Sequence, residues 1–312
     1  MDRTDAALLD LLRWLDSEAY DFVTPTPATH ARVLARRPNA LARDTRDVLG
    51  WSLPFRRADV PQQLVEHLGA AEVLRPDDDG LRSDIRVSRL RGRLFIHSAY
   101  PTTDRDAVFL GPDSYRFADF VCRSVGGDFR GLALDVGGGC GVGAIALADH
   151  APGARLMLTD VNRCALRFAR LAARHAGLTI ETSVADGLSG APPNLDLVIA
   201  NPPYMAASDQ TYRDGGDAQG AGLSLAWTGE ALARLAPGGR LVLYSGSAIL
   251  PGGVDRLRDQ LLAMCDRAGA RLSYQELDPD VFGEELARPA YAEVERIAAV
   301  GCVITARGAG TP

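Results

Sequence analysis

The chain has 312 residues, of which 46% are hydrophobic, and its formal net charge is −6 at pH 7. This length suits two domains of roughly 150 residues each. The net negative charge argues against a protein that binds nucleic acid without sequence preference, although a local basic patch is still compatible with it. All 34 basic residues are arginine, which excludes lysine-based catalysis.

Cysteine usage and hydropathy indicate the compartment. The 5 cysteines form no C-x-x-C pair and are odd in number, so neither a zinc site nor a disulfide framework is indicated. The amino terminus has no signal-peptide pattern, and no apolar run approaches the ~20 residues of a membrane span. We therefore expect a cytoplasmic protein that needs neither a metal nor a membrane.

The first part of the chain, residues 1–104, is predicted to form a smaller helical domain. Leucines recur at helical spacing in residues 5–17, and Pro61 stands where a later helix would begin. Alternating, strand-like residues follow at 81–99. Helices followed by a hairpin suggest a winged helix, which would bind substrate, contact nucleic acid or form a homodimer.

Five arginines crowd this predicted wing, at positions 82, 86, 89, 91 and 93. The last three alternate along one face of a strand, where they could meet phosphates. A solvated charged edge that prevents strand aggregation is the alternative explanation.

From residue 105 to residue 312, short apolar runs alternate with helical stretches, which indicates a doubly wound, mostly parallel α/β sheet. Helices are predicted at 163–176 and 223–235. An antiparallel final strand is predicted because no clear helix separates the last two strand candidates. The predicted strands are Leu132–Val136, Arg155–Asp160, Thr179–Ala185, Leu195–Ala200, Arg240–Ser245, 271–277 and 297–306.

A glycine-rich turn follows the first of these strands directly. Asp135 precedes Gly137, Gly139 and Gly141, which begin where Val136 ends. A strand that runs into glycines and then a helix lets the backbone approach a nucleotide closely. A dinucleotide fingerprint starting at Gly141 is a weaker match, because that glycine lies four residues beyond the strand, so a nicotinamide-dependent oxidoreductase is a distant alternative.

The most specific motif is Asn201-Pro202-Pro203-Tyr204, at the end of an apolar strand. Proline has no N–H, so the two prolines keep the turn extended and leave carbonyl groups free to accept hydrogen bonds. Acceptors on both hydrogens of an amide or aromatic amine would draw the nitrogen lone pair out of conjugation. We predict that the Asn201 side-chain oxygen and the Pro202 carbonyl are these acceptors.

This combination of motifs resembles the class I S-adenosylmethionine-dependent methyltransferases, with their Rossmann-like sheet. The Asn-Pro-Pro-Tyr motif is similar to that of the group containing the release-factor glutamine and nucleobase amino-methyltransferases. The resemblance covers about residues 105–250. It implies S-adenosylmethionine as cofactor, bound by the glycine turn with Asp135, by Asp160 at the ribose hydroxyls and by Asp186 at the adenine amino group.

The same resemblance implies that the motif holds the methyl acceptor. Asn201 and Pro202 would bind the reacting nitrogen, Pro203 would line the substrate site, and Tyr204 would stack on the planar group. The polar run Tyr212–Asp217 is interpreted as a mobile lid over the cleft. Tyr291, between the last two strands, is a further candidate for a substrate contact.

The leading hypothesis is an N-methyltransferase whose acceptor is a protein glutamine, a nucleobase or a small molecule, with the acidic pI favouring protein or metabolite. The alternative is a DNA-binding regulator in which the second domain only senses the nucleoside. The intact Asn-Pro-Pro-Tyr motif favours the enzyme, because a sensor has no need of it.

Overall fold

A computed structural model describes residues 2–206, 215–216 and 219–308. The chain forms two compact units. The first comprises Met1–Tyr115, Gly139–Ile145 and Asn162–Thr179, and the second comprises Arg116–Gly138, Ala146–Val161 and Ile180–Pro312. The first unit thus includes residues 105–115 and two later segments, all beyond residue 104. The domain boundary predicted at that residue stays a prediction.

Helices dominate the start of the first unit. Helix α1 begins after Asp2, whose carboxylate accepts a hydrogen bond from the Asp5 amide at 2.8 Å, and its leucine stripe is buried. Thr26 caps α2 in the same way, ahead of a proline at the first helical position. The helices are α1 Arg3–Ser17, α2 Pro27–Ala35, α3 Thr45–Leu49 and α4 Gln62–Ala70, with a short 3₁₀ helix at Arg57–Asp59.

Two antiparallel ribbons follow these helices. They pair β1 Leu74–Asp77 with β2 Gly80–Ser83, and β3 Ile85–Leu90 with β4 Arg93–Ser98. Helix α7, Arg163–His175, belongs to the same unit, where Arg167 donates to Asp5 of α1 at 2.6 Å. The winged-helix interpretation of this region stays a prediction.

The arginines of the ribbons do not form a freely solvated edge. Arg82 donates to Asp77 at 2.8 Å, and Arg89 donates to Asp16 at the same distance. Arg86 is only 3% exposed and donates to the Ser98 carbonyl. These three side chains therefore stabilise the unit internally, and the expectation of a solvated charged edge is wrong for them.

The second unit is built on an eight-stranded sheet. Strands β7, β6, β5, β8 and β9 are parallel in that order, and β12 lies antiparallel between β9 and β11. The strands are β5 Leu132–Val136, β6 Arg155–Asp160, β7 Glu181–Val184, β8 Leu195–Ala200, β9 Leu235–Leu250, β10 Val254–Asp255, β11 Arg271–Asp278 and β12 Arg296–Thr305. The predicted mostly parallel α/β sheet with an antiparallel final strand is confirmed.

The remaining helices are α5 Pro112–Ser124, α6 Val142–His150, α8 Gly222–Leu232 and α9 Arg256–Ala268, with short 3₁₀ helices at Gly283–Ala287 and Pro289–Tyr291. The central strands are buried on both faces, as expected for parallel strands covered by helices. Leu134, Val198 and Leu243 have no exposed surface. Within the described part of the chain, no helix is long and apolar enough to cross a membrane.

Candidate active site

The register of the parallel strands brings several predicted site residues to one edge of the sheet. Val136, the last residue of β5, pairs with Thr159 of β6 and with Ala200 of β8. The next residue in each case is Gly137, Asp160 and Asn201. Because the carboxyl ends of parallel strands meet at one edge, these three residues leave the sheet side by side.

The glycine turn requires a backbone conformation that other residues seldom adopt. Gly137, Gly139 and Gly141 have φ values of +60°, +55° and +89°. A Cβ atom on Gly141 would lie 3.2 Å from the Cβ of Ala169, so this glycine permits close helix packing. A Cβ on Gly139 would meet no atom within 4 Å, so the turn is open to a ligand at that point.

The three predicted carboxylates have different surroundings. Asp135 is 2% exposed and lies beneath the turn, where a Cβ on Gly138 would be 3.1 Å from its Cγ. Asp160 is half-buried at the end of β6. Asp186 is exposed and follows β7 by two residues, at the rim of a groove of about 510 Å³ formed largely by α8. The structure therefore brings Asp135 and Asp160 to the edge near the glycine turn and Asp186 to the neighbouring turn.

Helix α8 supplies two contacts that sequence reasoning missed. The Trp227 ring packs against both Gly137 and Gly187. A Cβ atom added to Gly137 would lie 2.5 Å from the ring, and one added to Gly187 would lie 3.0 Å from it. The Glu230 carboxylate accepts a hydrogen bond from the Leu188 amide at 2.8 Å. These side chains support the turn that carries Asp186. The only signal in the sequence is a single tryptophan in a helix of mostly small residues.

Val161 is a third residue that sequence reasoning missed. Its side chain is 64% exposed, although valine is more often buried, and it directly follows Asp160. An exposed apolar side chain next to a carboxylate suits a ligand with both a flat apolar part and hydroxyl groups. The signal available in the sequence is an apolar residue between the strand-ending aspartate and the next helix.

The Asn-Pro-Pro-Tyr motif directly follows β8, outside any helix or strand. Asn201 and Pro203 are half-buried, and Pro202 is buried. Tyr204 is 8% exposed, with ring centroids of Tyr244 and Phe282 at 6.3 Å and 6.1 Å. Asn201 is thus partly exposed at the edge beside Gly137, whereas Tyr204 is buried with two aromatic rings as neighbours.

A wall of sequence-distant residues encloses Tyr204. Strand β9 continues past the end of β8 to Leu250, and β12 pairs with this extension. A Cβ on Gly246 would lie 2.3 Å from the Tyr204 ring, so the strand approaches the ring closely. Tyr291, between β11 and β12, is 2% exposed and accepts a hydrogen bond from the Ala206 amide at 2.8 Å. Its hydroxyl holds the backbone after the motif, and a substrate contact by Tyr291 stays a prediction.

The predicted lid lies mostly outside the described residues. Of Tyr212–Asp217, the structure describes only Gly215 and Gly216. The Gly215 amide donates to the Met205 carbonyl at 2.9 Å. Across the described ranges 2–206, 215–216 and 219–308, no group of three His, Cys, Asp or Glu side chains could hold a metal ion.

Comparison with known proteins identifies the central part of the chain. Residues 118–247 match the family model "Methyltransferase small domain". The ribosomal RNA small subunit methyltransferase C of Pseudomonas aeruginosa is 36% identical over 117 residues, which cover 38% of this chain and 32% of that relative. The release factor glutamine methyltransferase of Cereibacter sphaeroides is 33% identical over 131 residues, which cover 37% of this chain and 46% of that relative. The matched stretch therefore spans less than half of either relative.

Solved structures agree with the fold. A protein of Pyrococcus horikoshii described as a transferase aligns with a TM-score of 0.52 and 8% identity, covering 91% of this chain and 100% of that one. M. jannaschii TYW2 in complex with AdoMet aligns with a TM-score of 0.50 and 12% identity, covering 72% of this chain and 87% of that one. At these identities the likeness concerns the fold alone. The family match is thus to the methyltransferase small domain, and it covers residues 118–247, less than half of the chain.

Proposed function

We propose that this chain is an S-adenosylmethionine-dependent N-methyltransferase acting on a planar nitrogen of a protein, a nucleobase or a small molecule. One observation carries the proposal: Val136 and Ala200 share a register, so the glycine turn and Asn201 emerge together from β5 and β8. A cofactor on the turn and an amino group on Asn201 would then meet at the same edge. This juxtaposition is what methyl transfer from one ligand to the other requires.

The residues at this edge fit S-adenosylmethionine. The open space at Gly139 admits a ligand close to the backbone, with Gly137 and Gly141 giving the turn its conformation. Asp160 carries acceptors for the ribose hydroxyls, and the exposed Val161 offers an apolar surface for the adenine ring. We assign the adenine amino group to Asp186, at the next turn.

The chemistry of the acceptor site depends on this chain's own oxygen atoms. When bound, S-adenosylmethionine supplies an electrophilic methyl group. The Asn201 side-chain oxygen and the Pro202 carbonyl would each accept one hydrogen of the amino group, which orients the nitrogen lone pair away from its conjugated system. A strong base is not needed, because the nitrogen becomes acidic as it gains the methyl group and can release its proton to water.

The relatives suggest two acceptor classes. One relative is named for ribosomal RNA and the other for a release-factor glutamine, whose side chain is an amide. In an RNA, the planar nitrogen would belong to a nucleobase. Both present a planar nitrogen to an edge such as that of Asn201. For this chain, both classes and a small metabolite are retained as acceptors to be tested.

The proposal is tested by separating cofactor binding from methyl transfer. Calorimetry would measure the affinity for S-adenosylmethionine, and labelled methyl transfer would be followed into protein, nucleic-acid and small-molecule fractions of a lysate. We expect Asn201→Ala to keep cofactor affinity and lose transfer at least 100-fold, because it removes only an acceptor-site oxygen. Asp160→Ala should weaken cofactor binding at least tenfold, since it removes the proposed ribose acceptor.

Asp196→Asn is the matched control. Asp196 lies at the opposite end of β8 and accepts a hydrogen bond from the Leu132 amide, which asparagine can retain. This variant should bind and transfer as the unaltered protein does. Full transfer by a folded Asn201→Ala variant would contradict the proposal.

A further inference from the structure

The first unit carries a concentrated positive charge on the stretch from α2 to the start of the short 3₁₀ helix that follows α3. Residues 28–58 contain seven arginines and two aspartates, giving this segment a net charge of +5 in a chain whose net charge is −6. The rest of the chain is therefore strongly acidic. Such segregation creates a local attraction for polyanions that the overall pI of about 5.4 conceals.

Hydrogen bonds join the arginine-bearing elements. Arg37, just after α2, forms a bidentate pair with Asp47 of α3, at 2.9 Å and 3.1 Å. The Asp47 carboxylate also accepts a hydrogen bond from the Arg43 amide at 3.2 Å. Asp47 is thus buried among arginine-bearing segments and holds them together, and its charge is taken up by Arg37.

Four exposed arginines remain around this junction, and we call them the arginine face: Arg32, Arg36, Arg43 and Arg46. Arg32 lies on α2 and Arg36 caps its C-terminal end, so they are one helical turn apart and project from the same side. The side chains of Arg32, Arg36 and Arg43 make no hydrogen bond or ion pair with any described residue. Their guanidinium groups are available for phosphates, which they match bidentately.

Aromatic side chains lie next to this face. His30 of α2 stacks on Tyr100 with ring centroids 4.1 Å apart, and its ring centroid is 5.1 Å from that of Trp51. Trp51 and Tyr100 are half-buried, and the Trp51 amide donates to the Arg46 carbonyl at 3.1 Å. The Arg46 guanidinium itself lies over the Phe22 ring, with its Cζ 5.5 Å from the ring centroid. Partly exposed rings on the elements that carry the arginines suit nucleotides, because bases stack on rings while phosphates meet guanidinium groups. An acidic peptide would use only the charge.

We infer that the arginine face binds the sugar-phosphate backbone of a nucleic acid. Its relevance to methyl transfer rests on the proposed function and narrows the acceptor to a nucleobase, whereas the binding itself does not depend on it. This face is separate from the ribbon arginines Arg82, Arg86 and Arg89, whose side chains are engaged within the unit.

The test neutralises the face and measures the salt dependence of binding. Fluorescence anisotropy would compare an RNA hairpin, a DNA duplex of the same sequence and polyglutamate, between 50 and 200 mM salt. For the triple variant Arg32→Gln, Arg36→Gln, Arg43→Gln we expect at least tenfold weaker binding and a salt slope reduced by about 2 to 3, roughly one per lost phosphate contact. Tighter binding of either the RNA or the DNA supports the inference and identifies the source of the phosphates.

The control changes three exposed arginines of the second unit: Arg256→Gln, Arg267→Gln and Arg271→Gln. Its affinity and salt slope should match those of the unaltered protein. Three results would overturn the inference. They are no binding of either nucleic acid at 50 mM salt, an unchanged salt slope for the Arg32/Arg36/Arg43 triple variant, or polyglutamate binding as tight as that of the RNA.

The outcomes for the two proposals are distinguishable. Calorimetry on the Arg32/Arg36/Arg43 triple variant should give an unchanged affinity for S-adenosylmethionine, because the arginine face is not part of the proposed cofactor site. Salt-dependent RNA binding without any methyl transfer would overturn the proposed function and support nucleic-acid binding by the arginine face. Methyl transfer without salt-dependent nucleic-acid binding would support the proposed function and overturn the inference about the arginine face.

Discussion

The indole ring of Trp227 occupies the space in which a side chain on Gly137 would stand, with an ideal Cβ at that position only 2.5 Å from the ring. The same indole lies 3.0 Å from a Cβ built on Gly187. One side chain of α8 therefore fixes both the glycine turn after β5 and the turn that carries Asp186. Both glycines have positive φ, so the backbone and the tryptophan together restrict these positions to glycine.

Substitution of Gly137 and Gly139 by alanine separates backbone strain from steric overlap. Both have φ near +60°, so each substitution costs ~1 kcal/mol from the backbone alone. Only Gly137→Ala also meets the Trp227 ring, so it should lower the melting temperature considerably more than Gly139→Ala. Thermal unfolding of the two variants checks this expectation, and equal shifts would contradict the role given to Trp227.

Removal of the Glu230 carboxylate should loosen the turn that bears Asp186. Glu230→Ala leaves the Leu188 amide, which belongs to a residue with no exposed surface, without its acceptor, at a cost of ~1–3 kcal/mol. Glu230→Gln retains a side-chain oxygen that can accept this hydrogen bond, so it should lose less stability than Glu230→Ala. Urea unfolding measures the stabilities, and calorimetry should detect weaker S-adenosylmethionine binding in the alanine variant. Equal stability of both variants would indicate that the bond contributes little.

Gly246→Ala should disturb the motif without touching the cofactor edge. A Cβ at this position would lie 2.3 Å from the Tyr204 ring, which must shift against Tyr244 and Phe282. We expect kcat for methyl transfer to fall at least tenfold while cofactor affinity stays within twofold, because a small displacement of the acceptor site disrupts in-line geometry.

Gly229→Ala is the control for this substitution. Gly229 is exposed in the middle of α8, and a Cβ there would meet Met264 at an ordinary 3.5 Å. Alanine should stabilise the helix by ~1 kcal/mol and leave kcat unchanged. If both glycine variants lose activity equally, the Gly246 effect does not depend on Tyr204.

Stability should decrease in mild acid because of buried histidines in the first unit. Burial, assisted by the positive charge of Arg86, lowers the pKa of His30 to about 4, and the same causes hold the pKa of His97 well below its ordinary value. The unfolded chain takes up protons below pH 6.5 while the folded chain keeps His30 neutral. The contribution of these neutral histidines to the free energy of unfolding is therefore fully present above pH 6.5 and is lost progressively as the pH falls toward 4.

Urea unfolding at pH 7.5, 5.5 and 4.5 measures this loss. His30→Gln, which can still donate to the Trp51 carbonyl, should show a shallower decline over this range than the unaltered chain. Parallel declines would assign the acid sensitivity to other groups, such as carboxylates.

Local pattern was sufficient to predict the central sheet, but not the contacts around its edge. Strands β5, β6 and β8 have the predicted bounds because each is a short apolar run between turn residues. Strand β9 extends beyond the predicted Arg240–Ser245 because β12, which begins 46 residues after β9 ends, pairs with its far end. Such long-range pairing has no local signature.

The residues of the candidate site likewise include some that local sequence patterns predict and some that only the folded structure shows. Asp135, the glycine turn, Asp160 and Asn201 could be found from sequence because each stands at a strand end, where a motif marks it. Trp227, Glu230 and the enclosure of Tyr204 depend on helices and strands that meet only in the folded chain. The ligand roles of all these residues, the winged helix and the homodimer stay predictions.

The pairing of β9 with β12 has a consequence for any attempt to isolate the methyltransferase domain. The family match ends at residue 247, yet Tyr204 lies against Phe282, and Tyr291 holds the backbone of Ala206. A fragment cut at the family boundary would expose the aromatic rings and release the motif's flanking backbone. The candidate site therefore depends on residues that follow the family match, and transplanting it would require the chain through the end of β12.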